Sequence, residues 1–264
     1  MFSYELKLLI VVLHEPSKSM LKKSKANVIA TNQRNTGLKR YPVHSGKNGH
    51  KKVDTYFYEI SPGIHLAYVS LAKCASNNVR HVLSELADGQ HRIERNIKTL
   101  DDLGQMPKAT YFSFIRNPWA RLHSSFNMAM NGTSVDFPCE FNEFAKNPDI
   151  SKVINIDPGH WTPQYNQLIT EDGHFIPEYL CRIENFNKGM IKVVEIAMNN
   201  CNNLIKINNV INELNTLLNR RIKHHRLADL NNIDKYHRKY YNDDTMASAK
   251  EYYKEDIKLF GYQF

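Results

Sequence analysis

The chain has 264 residues (30.7 kDa) and a formal net charge of +8, enough length for a sizeable core in one catalytic domain. Residues 16–52 hold ten Lys or Arg and no acid, so the remainder is close to neutral, which excludes a generally basic nucleic-acid-binding domain. The four cysteines, Cys74, Cys139, Cys181 and Cys201, lack CxxC spacing, which excludes a zinc cluster or a dense disulfide framework and predicts a reducing compartment.

In chain order, the apolar run 8–13 is too short to span a bilayer and predicts a soluble chain with no transmembrane span. Residues 16–52 are rich in Lys, Asn, Ser and Gly, with too little apolar surface to offset ordering, and predict a flexible basic arm after a short N-terminal segment (1–52 together). From residue 53 to 264 the texture becomes that of one domain of alternating strands and helices. Strands are predicted at 56–60 and 64–70, paired through Ser61-Pro62-Gly63, followed by a helix at 75–86 with Val79, Val82, Leu83 and Leu86 on one face. A second unit follows: a strand at 111–115 and a helix opening at Asn117-Pro118, with Trp119, Leu122, Phe126 and Met130 inward. A strand at 178–183, helices at 186–198 and 207–218, and a long helix at 244–259 complete the chain. The predicted fold is α/β, a P-loop-like, mainly parallel sheet flanked by helices.

Two of the strand-loop-helix units carry chemistry. In the first, Ser70-Leu71-Ala72-Lys73-Cys74-Ala75-Ser76-Asn77-Asn78 puts a Lys and small residues between a buried strand and a helix. There, free N–H groups and the helix dipole attract an anion, and Lys73 adds a full charge. A plainer reading makes Ser76 or Asn77 a helix cap and Lys73 a solvated charge. The GxxxxGK[ST] pattern of nucleotide-binding P-loops is absent. In the second unit, Arg116 emerges at the carboxyl end of a buried strand, and Ser124 lies two turns into the next helix, off its apolar stripe. A guanidinium and a hydroxyl suit a terminal phosphate.

These segments, together with His160-Trp161-Thr162-Pro163-Gln164-Tyr165, Arg182-Ile183-Glu184-Asn185-Phe186 and residues 252–262, occur in the order and spacing of a known family. From about residue 64 onward the chain resembles the carbohydrate sulfotransferases of the chondroitin/HNK-1 type (sulfotransferase family 2). It departs from their pattern at Ala72, where they usually have Pro, and at Asn77, where Thr is common. The resemblance implies 3′-phosphoadenosine 5′-phosphosulfate (PAPS) as sulfuryl donor, in-line transfer to a hydroxyl of a glycan or other acceptor, and no metal and no nucleic-acid partner. It implies a 5′-phosphosulfate loop formed by Lys73, Cys74, Ala75, Ser76, Asn77 and Asn78, and a 3′-phosphate site at Arg116 and Ser124. Lys73 would stabilise the leaving oxygen. An attacking hydroxyl needs a base, for which His160 is the first candidate, with Glu184, His65 and His123 as competitors. Trp161 and Tyr165 would line a sugar-facing wall, Arg182 would pair with Glu184 or face the ligand, and the basic run 220–226 would close over the donor or grip an anionic glycan. Relatives of this type are Golgi-anchored, so the expected compartment is cytoplasmic for a microbial chain and the Golgi lumen for a eukaryotic fragment without its anchor. Two other classes fit parts of the pattern: a kinase-like phosphotransferase, which shares such loops, and a non-catalytic polyanion-binding protein, for which the arm suffices.

Overall fold

Six strands form one sheet in a computed structural model that describes residues 28–30, 53–94, 97, 99–132, 140–148, 158–199, 204–219 and 237–264. They are β1 (Val28–Ala30), β2 (Thr55–Ser61), β3 (Ile64–Val69), β4 (His91–Glu94), β5 (Thr110–Ile115) and β6 (Tyr179–Arg182), in spatial order β1-β6-β5-β3-β2-β4. The fold is α/β, as expected. Its central strands β3, β5 and β6 run parallel, and antiparallel strands extend the sheet on both sides. Val28–Ala30 pairs with β6 although it lies within the stretch expected to be a flexible arm; the rest of residues 16–52, and the basic run 220–226, lie outside the described residues.

The central strands read as near-continuous apolar runs because both their faces are covered. Leu66 to Val69 and Tyr111 to Ile115 are buried throughout, and the Ser113 hydroxyl donates to the Val69 carbonyl at 2.7 Å. The β2–β3 hairpin turns at Pro62-Gly63, where Gly63 has φ +77°. Helix α1 (Ser76–Leu86) buries the predicted stripe of Val79, Val82, Leu83 and Leu86. It is followed by α2 (Leu100–Gln105), α3 (Pro118–Gly132), α4 (Phe141–Lys146), α5 (Gln164–Leu168), α6 (Phe186–Met198), α7 (Leu204–Asn219), α8 (Asp243–Tyr252) and α9 (Lys254–Phe260). Helices α1, α6 and α7 share the main core with the sheet. Trp119, Leu122, Phe126, Phe141, Phe144, Trp161, Ala249 and Tyr253 form a second core where α3, α4 and α8 meet. Among the described residues no helix is long and apolar enough to cross a membrane.

Two predicted details change. Met130 is 49% exposed, and Ala129 instead is buried, because the aromatic cluster of Phe126, Phe141 and Phe144 that α3 packs against ends before its last turn. The predicted helix 244–259 is two helices that break at Tyr253 (φ −104°, ψ 21°). The Tyr253 hydroxyl donates to the Trp161 carbonyl at 2.5 Å, and the break turns Asp256 of α9 toward the start of α5.

Helix α6 approaches β5 and β6 closely at Gly189. A Cβ there would lie 3.1 Å from Cys181 Cβ and 3.2 Å from the Phe114 ring. Gly189→Ala is therefore expected to cost about 2 kcal/mol through overpacking, read as a lower urea midpoint with an unchanged m-value.

Candidate active site

The carboxyl ends of neighbouring parallel strands carry the two predicted units side by side. Because β3 and β5 pair directly (Tyr68 opposite Phe112), residues 70–75 after β3 and Arg116 after β5 emerge next to each other. The β3 loop enters α1 through two non-glycine residues in the left-handed region, Lys73 (φ 65°) and Ala75 (φ 59°). Such conformations cost on the order of 1 kcal/mol or more each and persist only where neighbours enforce them. Here the neighbours are arginines of the second unit: Arg121 Nε donates to the Ala72 carbonyl at 3.0 Å and Arg116 Nη1 to the Lys73 carbonyl at 3.1 Å.

Ala75 is the N-cap of α1, and no side chain caps the helix. The plainer reading of Ser76 or Asn77 as the helix cap therefore fails. Neither Ser76 nor Asn77 satisfies the first turn, whose N–H groups are left for an anion. Lys73 is half-buried rather than fully exposed. Its ammonium has no hydrogen bond or ion pair among the described residues, and burial, followed by the fields of Arg116 and Arg121, pulls its pKa down from 10.5 to about 8. Asn77 accepts from Arg80 through Oδ1, Asn78 is buried, and Ser76 is half-buried at the first helical position. The Cys74 thiol points inward, donating to Gln164 Oε1 at 3.2 Å, and burial raises its pKa to about 11. The Cys74 N–H also turns back into the loop, donating to the Leu71 carbonyl at 3.4 Å.

The second unit is capped differently. Asn117 Oδ1 accepts from Trp119 N and Ala120 N, its own N–H donates to Glu184 Oε1 at 2.9 Å, and its amide donates to the Gln263 carbonyl at 3.1 Å. Arg116 is buried, and its backbone is held on both sides by Gln164, whose Oε1 accepts from Arg116 N at 2.8 Å and whose Nε2 donates to Arg116 O at 2.9 Å. Ser124 is half-buried, with no hydrogen bond among the described residues.

His160 closes a 3-10 turn, Pro158–His160, that hangs from the same guanidinium as the loop. Arg121 Nη2 donates to Gly159 O and Nη1 to Thr162 O, both at 2.7 Å, while Ser125 Oγ donates to His160 O at 2.6 Å. Lys73 and His160 thus each follow a residue whose carbonyl Arg121 holds. The competitors are less suited. Glu184 accepts from Asn117 N and from the Tyr262 hydroxyl. His65 sits about 13 Å upstream of the carboxyl end of β3. The pKa of His123 is lowered to about 4, by burial first and then by Arg116 and Lys239, which makes it a weak base at neutral pH.

Three expectations need correction. Trp161 and Tyr165 are each 1% exposed and belong to the cores, so they are not a sugar-facing wall. Arg182 does not pair with Glu184. It donates to the Phe260 and Gly261 carbonyls and lies over the Tyr262 ring. The roles of Arg121, Gln164 and Asp256 were not foreseen, although all three stand in the quoted motifs. Asp256, fully buried, accepts from Gln164 N at 2.8 Å and Tyr165 N at 2.7 Å. Burial raises its pKa, against the pull of those bonds and of Arg121.

Lys73 is charged below pH 8 in the native state at a desolvation cost that the unfolded chain, with its pKa near 10.5, does not bear. Lys73→Met is therefore expected to stabilise the ligand-free protein by about 2 kcal/mol at pH 7, discounted for the partial exposure of the group. The difference from wild type should shrink as pH rises from about 8 to 10.5, where native Lys73 has shed its proton and the unfolded chain follows. Urea titrations of both proteins at pH 7 and pH 10 measure it.

Comparison with curated proteins returned no match, and comparison with solved structures returned none. A family model described as the sulfotransferase family matches residues 9–263, which cover β1 to β6, both basic units and the His160 turn. With the match spanning nearly the whole chain, the protein belongs to the sulfotransferase family.

Proposed function

We propose that the chain transfers a sulfuryl group from PAPS to a hydroxyl of a carbohydrate acceptor by in-line displacement. The observation that carries this reading is the convergence of Lys73, Arg116 and Arg121 beside an uncapped helix N-terminus, with no anion partner for the Lys73 ammonium among the described residues. A desolvated cation of this kind destabilises the empty protein and is compensated by a bound anion, the signature of a site rather than of a scaffold. Sulfuryl transfer needs such an anion cradle, and family membership points to that chemistry.

PAPS supplies the electrophilic sulfur and the leaving phosphate. The N–H groups of residues 75–78 and Lys73 hold the 5′-phosphosulfate, and the left-handed turn at Lys73 aims them. As the acceptor oxygen bonds to sulfur and the bond from sulfur to the bridging oxygen breaks, Lys73 stabilises the negative charge growing on that oxygen. A bound phosphosulfate raises the pKa of Lys73 above its empty-site value of about 8, so the ammonium stays protonated at pH 7. His160 takes the proton of the attacking hydroxyl. Arg116 and Ser124 hold the 3′-phosphate and so fix where the sulfur lies. The carbohydrate acceptor follows from the resemblance to the chondroitin/HNK-1 type, and its walls lie elsewhere than Trp161 and Tyr165, which are buried.

The test is transfer from labelled PAPS to a panel of glycans and small alcohols. Lys73→Ala is expected to lower kcat about 10²- to 10³-fold. His160→Ala should lower it at least about 10²-fold, and Ser124→Ala should raise the KM for PAPS about tenfold with little change in kcat. Wild-type transfer to none of the panel, or full activity in Lys73→Ala, would overturn the reading.

A further inference from the structure

The two arginines of the second unit grip consecutive carbonyls of the first. Arg121 holds Ala72 O, and Arg116 holds Lys73 O. A peptide unit is planar, so fixing a carbonyl on one side aims the next N–H to the other. The Arg121 bond orients the N–H of Lys73, and the Arg116 bond orients the peptide that links Lys73 to Cys74. Lys73 itself sits at φ 65°, a conformation a lysine does not hold without external restraint. Arg116 is in turn restrained: it is 7% exposed, and Gln164 clamps its backbone N–H and carbonyl. Gln164 is fixed by Asp256 of α9, which accepts from both its backbone and its side-chain amide. A continuous line of hydrogen bonds therefore runs from α9 through α5 and the end of β5 to the backbone of Lys73.

Resting on the donor reading above, we propose that Arg116 serves both ends of the donor: besides meeting the 3′-phosphate, it is the positioning residue that sets the Lys73 backbone at the reactive end. An Arg116 that only met the 3′-phosphate would be silent toward a donor lacking that group. An Arg116 that also shapes the Lys73 loop is felt by such a donor, and it is felt through Lys73.

Adenosine 5′-phosphosulfate, which is PAPS without its 3′-phosphate, separates the two cases. Its affinity is read directly, by equilibrium dialysis of sulfur-labelled adenosine 5′-phosphosulfate on the full chain, for wild type, Lys73→Ala, Arg116→Ala and the double variant, with thermal melting as the fold control. Arg116→Ala is expected to weaken adenosine 5′-phosphosulfate about tenfold or more. Lys73→Ala, costly in the wild-type background, should cost little further once Arg116 is gone, because the ammonium it removes is no longer aimed. Melting separates that non-additivity from loss of the fold, which would also silence Lys73→Ala. Arg116→Lys provides a second variant if Arg116→Ala melts early. It keeps a charge for the 3′-phosphate but loses the fork, so it should bind the bisphosphate better than Arg116→Ala while remaining weak toward adenosine 5′-phosphosulfate.

Unchanged adenosine 5′-phosphosulfate affinity in both Arg116 variants, or strictly additive losses with Lys73→Ala, would overturn the inference and leave the donor reading intact. Wild type that binds the bisphosphate no better than Lys73→Ala would instead remove the donor reading on which it rests.

Discussion

The fully buried guanidinium of Arg121 is the constraint on which the rest of the site depends. It donates to three carbonyls from two separate segments, Ala72 O on one side and Gly159 O and Thr162 O on the other, and so joins the loop after β3 to the turn that carries His160. A buried charge is tolerated only where its donors are used and an opposite charge is near. The carbonyls use the donors, and Asp256, whose charge Arg121 helps to stabilise, supplies the field. One residue thereby joins the loop that carries Lys73 to the turn that carries His160.

Around that point the polar interior is economical. Gln164 spends both ends of its amide joining Cys74 of the first unit to Arg116 of the second and to Asp256 of α9. Glu184 ties Asn117 to Tyr262 near the end of the chain. Gln164, Glu184 and Asp256 are each hydrogen-bonded to named partners, while the first turn of α1 has no side-chain cap.

Much of this was legible in the sequence. The apolar runs of β3 and β5, the stripe of α1 and the bounds of α6 follow from hydrophobic period alone. The place of Arg116 was legible because a basic residue directly after a buried strand emerges at the carboxyl edge of the sheet, and that of Lys73 because it lies in the loop leaving the same edge of β3. The strands β1 and β4, at three and four residues, carry too little pattern to announce themselves. The break at Tyr253 was hidden because the apolar spacing continues across it, and a tertiary bond to Trp161 decides the local conformation. Trp161 and Tyr165 misled for a related reason: an aromatic in a functional motif reads the same whether it faces a sugar or a core. Arg121 could not be read as a tether because its partners are backbone carbonyls, which every residue possesses.

The central claim is that Lys73 and Arg116 together form one phosphoadenosine site. Retention of the full chain on immobilised 3′,5′-bisphosphoadenosine, compared with immobilised ATP, tests it most directly. The account predicts retention on the bisphosphate that is lost in both Lys73→Ala and Arg116→Ala. Retention on ATP alone, or binding to neither with heparin affinity residing wholly in residues 16–52, would contradict it.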